Sequence, residues 1–173
     1  MADKTDYSGW SIEDFKREIE KLKEVKKYGL VWNEKIKKEQ WKTDGKHPIL
    51  KEIESNEIKT DEKKPFNILI EGDNHHALSV LNYTHKGMID VIYIDPPYNS
   101  GKKDWKYNNK YVDKNDRWRH SKWISMMSKR LNLAKKLLKE KGVLICTIDK
   151  NEHAPLVLLL QEIFYNKEVV SIV

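Results

Sequence analysis

Asp95-Pro96-Pro97-Tyr98 is the stretch whose residue types most narrowly restrict the chemistry that can occur beside it. Two successive prolines fix φ twice and remove two backbone N–H donors, so carbonyl oxygens are held beside the Asp95 carboxylate. The result is a cluster of acceptors. Such a cluster suits an amino group whose lone pair is delocalised into an aromatic ring. Accepting its two N–H bonds draws the nitrogen towards tetrahedral geometry and frees the lone pair for attack. The N6 amino group of adenine fits that description. A tyrosine next in line can stack on the flat face of a base, which must first be rotated out of a duplex to be reached.

The elements that must position these residues follow from periodicity. Ile89-Asp90-Val91-Ile92-Tyr93-Ile94 is an apolar run that predicts a strand covered on both faces, and it leads directly into Asp95. Upstream, Phe66-Asn67-Ile68-Leu69-Ile70 predicts a short strand, stopped by Glu71-Gly72-Asp73-Asn74. Ala77, Leu78 and Leu81 then mark a helix that Asp73 or Asn74 can cap. From Ser121, the series Trp123, Ile124, Met127, Leu131, Ala134 and Leu138 predicts a helix closed by Gly142, followed by a strand over Val143 to Ile148. A last helix is expected from near Asn151, with Pro155 in its first turn. Alternating strands and helices imply an α/β fold with a parallel sheet, in which ligands collect beyond the carboxyl ends of the strands. Asp73, Asp95 and Asp149 all fall there. An Asp after a strand also commonly caps the next helix, so for Asp73 and Asp149 that role stands beside the functional one.

Residues 1–65 read as a charged, partly helical arm, and residues 66–173 as the body that carries the tetrapeptide. Ser11, Glu13 and Asp14 start an amphipathic helix ending near Gly29, whose apolar face is Ile12, Phe15, Ile19 and Leu22. Beyond it, Val31, Trp32, Ile36, Trp41, Ile49, Leu50 and Ile53 are scattered among charges; the aromatic residues are expected to pack the arm onto the body, with DNA contact as the alternative. A formal net charge of +6 favours a polyanionic partner, nucleic acid first, although a solvated charged face accounts for it as well. Residues 99–120 interleave bases with rings, namely Lys102, Lys103, Trp105, Lys106, Tyr107, Lys110, Tyr111, Arg117, Trp118 and Arg119. Such a mixture suits phosphates and unstacked bases, and predicts a mobile cover closing over DNA or cofactor. The plainer reading is that some of these aromatics only pin the loop down. The single cysteine, Cys146, lies in an apolar run and reads as a small buried hydrophobe. His75-His76 lacks the further ligands a zinc site needs, so no metal is implied. No stretch approaches the length of a membrane span and the start has no secretion pattern, which makes the cytoplasm the expected location.

Together the residues resemble the adenine-N6 DNA methyltransferases of the beta order, and most of all the N-terminal part of the modification subunits of type III restriction-modification systems. The resemblance runs through Lys27-Tyr28-Gly29-Leu30-Val31-Trp32, Asn67 to Asn74, and Asp90 through Gly101 with its Asp-Pro-Pro-Tyr-Asn-Ser-Gly signature. It continues in His120-Ser121-Lys122-Trp123, Arg130-Leu131, Gly142-Val143 and Ile148-Asp149. It implies an incomplete Rossmann-like methyltransferase sheet after a mainly helical arm. It further implies methyl transfer from S-adenosylmethionine to N6 of an adenine flipped out of duplex DNA. In that picture Asp95 and the Pro96 carbonyl bind the amino group, Pro97 fixes the turn, Tyr98 stacks on the base, and Asp73, Asp95 and Asp149 wall the cofactor pocket. Contacts to DNA would come from Lys102, Lys103, Trp105, Lys106, Tyr107, Arg117 and Arg119. A homodimer partner and a restriction endonuclease subunit are further implied partners.

The sequence departs from the family in one respect. Its seven glycines, at 9, 29, 45, 72, 87, 101 and 142, include no Gly-x-Gly pair, so the Phe-x-Gly-x-Gly cofactor loop is missing, as is a target-recognition region. The expectation is therefore a piece truncated before those parts, with apolar sheet edges exposed. Two alternatives stay open: one half of a split methyltransferase, and a catalytically inactive DNA-binding or interaction remnant.

Overall fold

A computed structural model describes residues 8–24, 30, 32, 47–58, 67–107 and 110–170. The chain divides into two compact units, Met1–Val31 and Trp32–Val173.

In the first unit, α1 spans Ile12–Glu24. Its start is a reciprocal capping box: Asp14 N–H donates to Ser11 Oγ at 3.2 Å, while Ser11 N–H donates to Asp14 Oδ2 at 3.0 Å. Two orphan donors of the first turn are thereby satisfied. The Ser11 hydroxyl also donates to Asp14 Oδ2 at 2.6 Å, and this bond first, with the Ser11 backbone bond second, holds the Asp14 carboxyl below its ordinary pKa. Ile12, Phe15 and Ile19 are exposed, with the Trp10 ring 5.5 Å from that of Phe15. The expected helix end near Gly29 lies outside the described residues, as do Ile36 and Trp41.

The second unit opens with a 3-10 turn at Glu54–Asn56, then runs α2 (Asn74–Thr84), β1 (Ile89–Ile94), β2 (Lys102–Tyr107), β3 (Lys110–Asp113), α3 (Arg119–Leu137), β4 (Leu138–Cys146) and α4 (His153–Ile163). The class is α/β, with β1 and β4 forming a parallel pair and β2 and β3 an antiparallel hairpin. Trp123, Ile124, Met126, Met127, Leu131, Ala134 and Leu137 make α3 the centre of the core, joined by Leu156, Leu159 and Ile163 of α4. Lys135 ties the two helices together, since its Nζ donates to the Ile163 carbonyl at 2.6 Å and lies over the Tyr165 ring at 5.1 Å.

Four expectations are corrected. Residues 67–70 form no strand among the described residues, and Leu69 is almost fully exposed. Strand β1 is covered on one face only: Val91 and Tyr93 point outward beside their partners Val143 and Ile145, and all four are exposed. Helix α3 stops at Leu137 rather than at Gly142, since Leu138 turns extended and pairs with Ile89. Gly142 instead lies inside β4, where an added Cβ would come within 3.0 Å of the Ile89 carbonyl oxygen. Finally, the 99–120 segment is no open loop. Its hairpin buries Trp105, Tyr107 and Val112, so the expected mobile cover has an apolar root.

Candidate active site

The parallel ladder sets the site. Its last pair, Ile94 and Cys146, places Asp95 beside Thr147 at the carboxyl ends of β1 and β4, and Thr147 N–H continues the ladder to the Ile94 carbonyl at 3.1 Å. Thr147 Oγ1 donates to Asp95 Oδ1 at 2.6 Å, and the Tyr98 hydroxyl donates to the same oxygen at 2.9 Å. Both bonds favour the ionised carboxylate, Thr147 more than Tyr98, and hold Asp95 below its ordinary pKa. The Asp95 bond in turn raises the Tyr98 pKa, which keeps the hydroxyl a donor. Neither bond uses Asp95 Oδ2.

Behind the carboxylate the turn is pinned from inside. The fully buried Trp123 donates its indole N–H to the Pro97 carbonyl at 2.6 Å. Asn99 follows with φ 55°, a left-handed conformation that Asn tolerates better than most residues, and its side chain is fully buried. It donates to Glu152 Oε1 and accepts from Trp105 Nε1 at 3.0 Å. On the neighbouring strand, burial pushes the Cys146 thiol up to about 11, with the Asp95 charge adding to the effect.

The other expected residues separate by environment. Asp73 caps α2 by accepting from His75 N–H at 2.9 Å, with Arg130 3.8 Å from its other oxygen, while Arg130 Nε donates to Asn74 at 2.7 Å. Asp149 accepts from the backbone and side-chain nitrogens of Asn151 at 2.8 and 2.6 Å. Each of these two carboxylates is thus engaged with its own neighbours. Trp105 and Tyr107 are interior and cannot stack on a base as they stand, which corrects their place among the DNA contacts. Lys102, Lys106, Tyr111, Arg117 and Trp118 are exposed, and Lys106 lies over the Tyr111 ring at 4.6 Å. Arg119 donates to His120 Nε2 at 3.1 Å; the Lys103 side chain lies outside the described residues. Among the described residues, no three potential ligands gather into a metal site, and no helix is long and apolar enough to cross a membrane.

Thr147, Trp123 and Glu152 were not singled out by sequence. Trp123 showed as part of an apolar stripe and of the His120-Ser121-Lys122-Trp123 resemblance but not as a partner of the tetrapeptide, and the pairing of Thr147 with Asp95 depends on a register that composition does not reveal.

Residues 89–173, from the first residue of β1 onward, match the family model described as DNA methylase. Over these residues the chain is similar to the DNA methylase family. Curated proteins match the chain beyond that stretch. The chain is 40% identical over 107 residues to the probable type III restriction-modification enzyme HindVI Mod subunit of Haemophilus influenzae, covering 62% of this chain and 13% of that protein. Against the type III StyLTI Mod subunit of Salmonella typhimurium the identity is 36% over 137 residues, covering 67% and 21%. With the type II methyltransferase M.KpnI of Klebsiella pneumoniae it is 39% over 94 residues, covering 54% and 22%. The chain therefore spans about a fifth or less of the length of these relatives.

Proposed function

We propose that this chain supplies the acceptor half of a site that moves a methyl group to N6 of an adenine flipped out of duplex DNA. The observation that carries the reading is the arrangement of Asp95: an ionised carboxylate with one oxygen filled by Thr147 and Tyr98 and the other not used by either. A carboxylate with a lowered pKa is a persistent acceptor and a poor resting place for a proton. Asp95 therefore orients and polarises the amine through an N–H bond rather than deprotonating it beforehand. The second N–H goes to the Pro96 carbonyl, held by the two fixed prolines. Tyr98, with its hydroxyl anchored on Asp95, offers its ring to the base. Acceleration then comes from positioning and fixed dipoles, with no covalent enzyme intermediate.

S-adenosylmethionine, when bound, would supply the electrophilic methyl group, the N–C bond forming as the S–CH3 bond breaks, and the proton the nitrogen then loses would pass along its hydrogen bond at Asp95 to solvent. The described residues fit the acceptor better than this donor, because Asp73 and Asp149 are already engaged locally and the sequence has no Gly-x-Gly loop. No step is assigned to them. The exposed cations Lys102, Lys106 and Arg117 are proposed to meet DNA phosphates, and the setting suggested by the relatives' names is a restriction-modification system with an endonuclease partner.

The test is to incubate the chain with tritiated S-adenosylmethionine and DNA, alone and together with any polypeptide encoded directly downstream, against Asp95→Ala. Label in N6-methyladenine is expected, and Asp95→Ala should abolish it. Label in cytosine, full activity of the variant, or no transfer in either arm would each sink the reading.

A further inference from the structure

A second cluster of side chains lies behind the tetrapeptide and is not used by the acceptor chemistry. Glu152, fully buried in the turn before α4, accepts two bonds on a single oxygen, from Asn99 Nδ2 and from His120 Nδ1, the latter at 2.6 Å. Because Arg119 donates to His120 Nε2, the imidazole hydrogen belongs on Nδ1, where it can point at Glu152. Asn99 uses the other end of its amide to accept from Trp105 of β2. Four segments thus converge: the residue after Tyr98, the adjoining hairpin, the start of α3 and the turn before α4, the last more than 50 residues from Asn99.

We infer that Glu152 is a positioning residue, acting through Asn99 to fix the Asp95 to Tyr98 turn and to latch the β2–β3 hairpin at a set attitude beside it. With φ fixed at Pro96 and Pro97, the remaining freedom of the turn lies at Tyr98 and Asn99. Asn99 is held at both ends of its amide in a left-handed conformation, so the chain leaves the site in one direction. The hairpin that carries Lys102 and Lys106 is fastened to the same amide through Trp105. A shift at Glu152 therefore reaches the base-binding turn and the cationic hairpin together. The catalytic part of this inference rests on the proposed methyl transfer; the latch rests on geometry alone.

Hydrogen exchange of the 173-residue chain, read by mass spectrometry over residues 98–107, tests the latch with Asn99→Gly, Glu152→Ala and Glu152→Gln. Glycine keeps the left-handed backbone accessible while removing both amide bonds. Asn99→Gly and Glu152→Ala should each speed exchange over 98–107 by about tenfold, with β1 and β4 unchanged. Glu152→Gln, which retains an acceptor oxygen, should stay within about threefold. Wild-type exchange in Asn99→Gly, or acceleration spread evenly over the chain, would overturn the latch. A glutamine variant as disruptive as alanine would mean that the charge, not the hydrogen bonds, matters. In the tritium assay, Asn99→Gly should lower kcat by about ten- to a hundredfold and also raise KM for DNA, because the hairpin bearing Lys102 and Lys106 is released together with the turn. Faster exchange with full kcat would overturn the positioning role. If wild type transfers no methyl group, the proposed function fails, and exchange still decides the latch.

Discussion

The carboxyl end of the β1–β4 pair and its open face are built from the same two strands and differ in how far this chain completes them. At the carboxyl end, Asp95 meets Thr147 and Tyr98, the Pro97 carbonyl meets Trp123, and Asn99 meets Glu152 and Trp105. Every partner lies between residues 95 and 152. On the open face Val91, Tyr93, Val143 and Ile145 are 56, 63, 52 and 47% exposed. Directional polar geometry is thus self-contained in a short stretch, while apolar burial of the sheet is not achieved among the described residues. An exposed apolar patch of this kind favours association.

The contrast can be broken most strongly with thiols. Cys146 lies on the covered face with its pKa raised to about 11, whereas Val143→Cys would place a second thiol on the open face. At pH 8, iodoacetamide should alkylate Cys146 on the order of a hundredfold more slowly than the introduced cysteine, as mapped by peptide mass spectrometry. Equal rates would show that the two faces are alike. Next in size is Trp123→Phe, which strands the Pro97 carbonyl at the completed end; urea unfolding should show a loss of about 1–3 kcal/mol. No loss would mean that the indole bond does not hold the turn.

Thr147→Val sharpens the account of Asp95. Removing the main bond to its carboxylate should raise the Asp95 pKa towards the ordinary carboxylate value, as followed by carbon-13 NMR. The sign follows from linkage. A carboxyl with a depressed folded-state pKa stabilises the fold above the unfolded pKa, about 3.9, and loses that contribution as pH falls through the lower folded value. The variant should therefore lose less stability on acidification than wild type. The smallest effect is expected for Val143→Lys, which should alter urea stability by no more than about 0.5 kcal/mol and reduce self-association in light scattering. A large loss would show that the face is covered after all.

The sequence made the tetrapeptide legible because two prolines after a strand-like run leave few structural options. It misjudged β1 because an apolar run looks the same whether one face or both are packed. The hairpin had a signal that could have been used: Trp105 and Tyr107 alternate with Lys106, and two asparagines, 108 and 109, separate the strand-like runs. Thr147 and Glu152 had none, since their roles depend on a parallel register and on where α4 begins relative to the site. Asp73 and Asp149 occupied the expected positions after their apolar runs, but neighbouring donors engage both, and no spacing rule distinguishes such a carboxylate from one held for a ligand.

The crowding of two hydroxyl donors onto one oxygen of Asp95 bears on how the proposed reaction would end. The other oxygen and the Pro96 carbonyl match the two N–H bonds of an unmodified amine. After one methyl group is added the nitrogen keeps a single N–H, so one acceptor loses its partner and the base is gripped less firmly. Release of the product and refusal of a second methyl group would then share one origin in the number of lone pairs the turn presents.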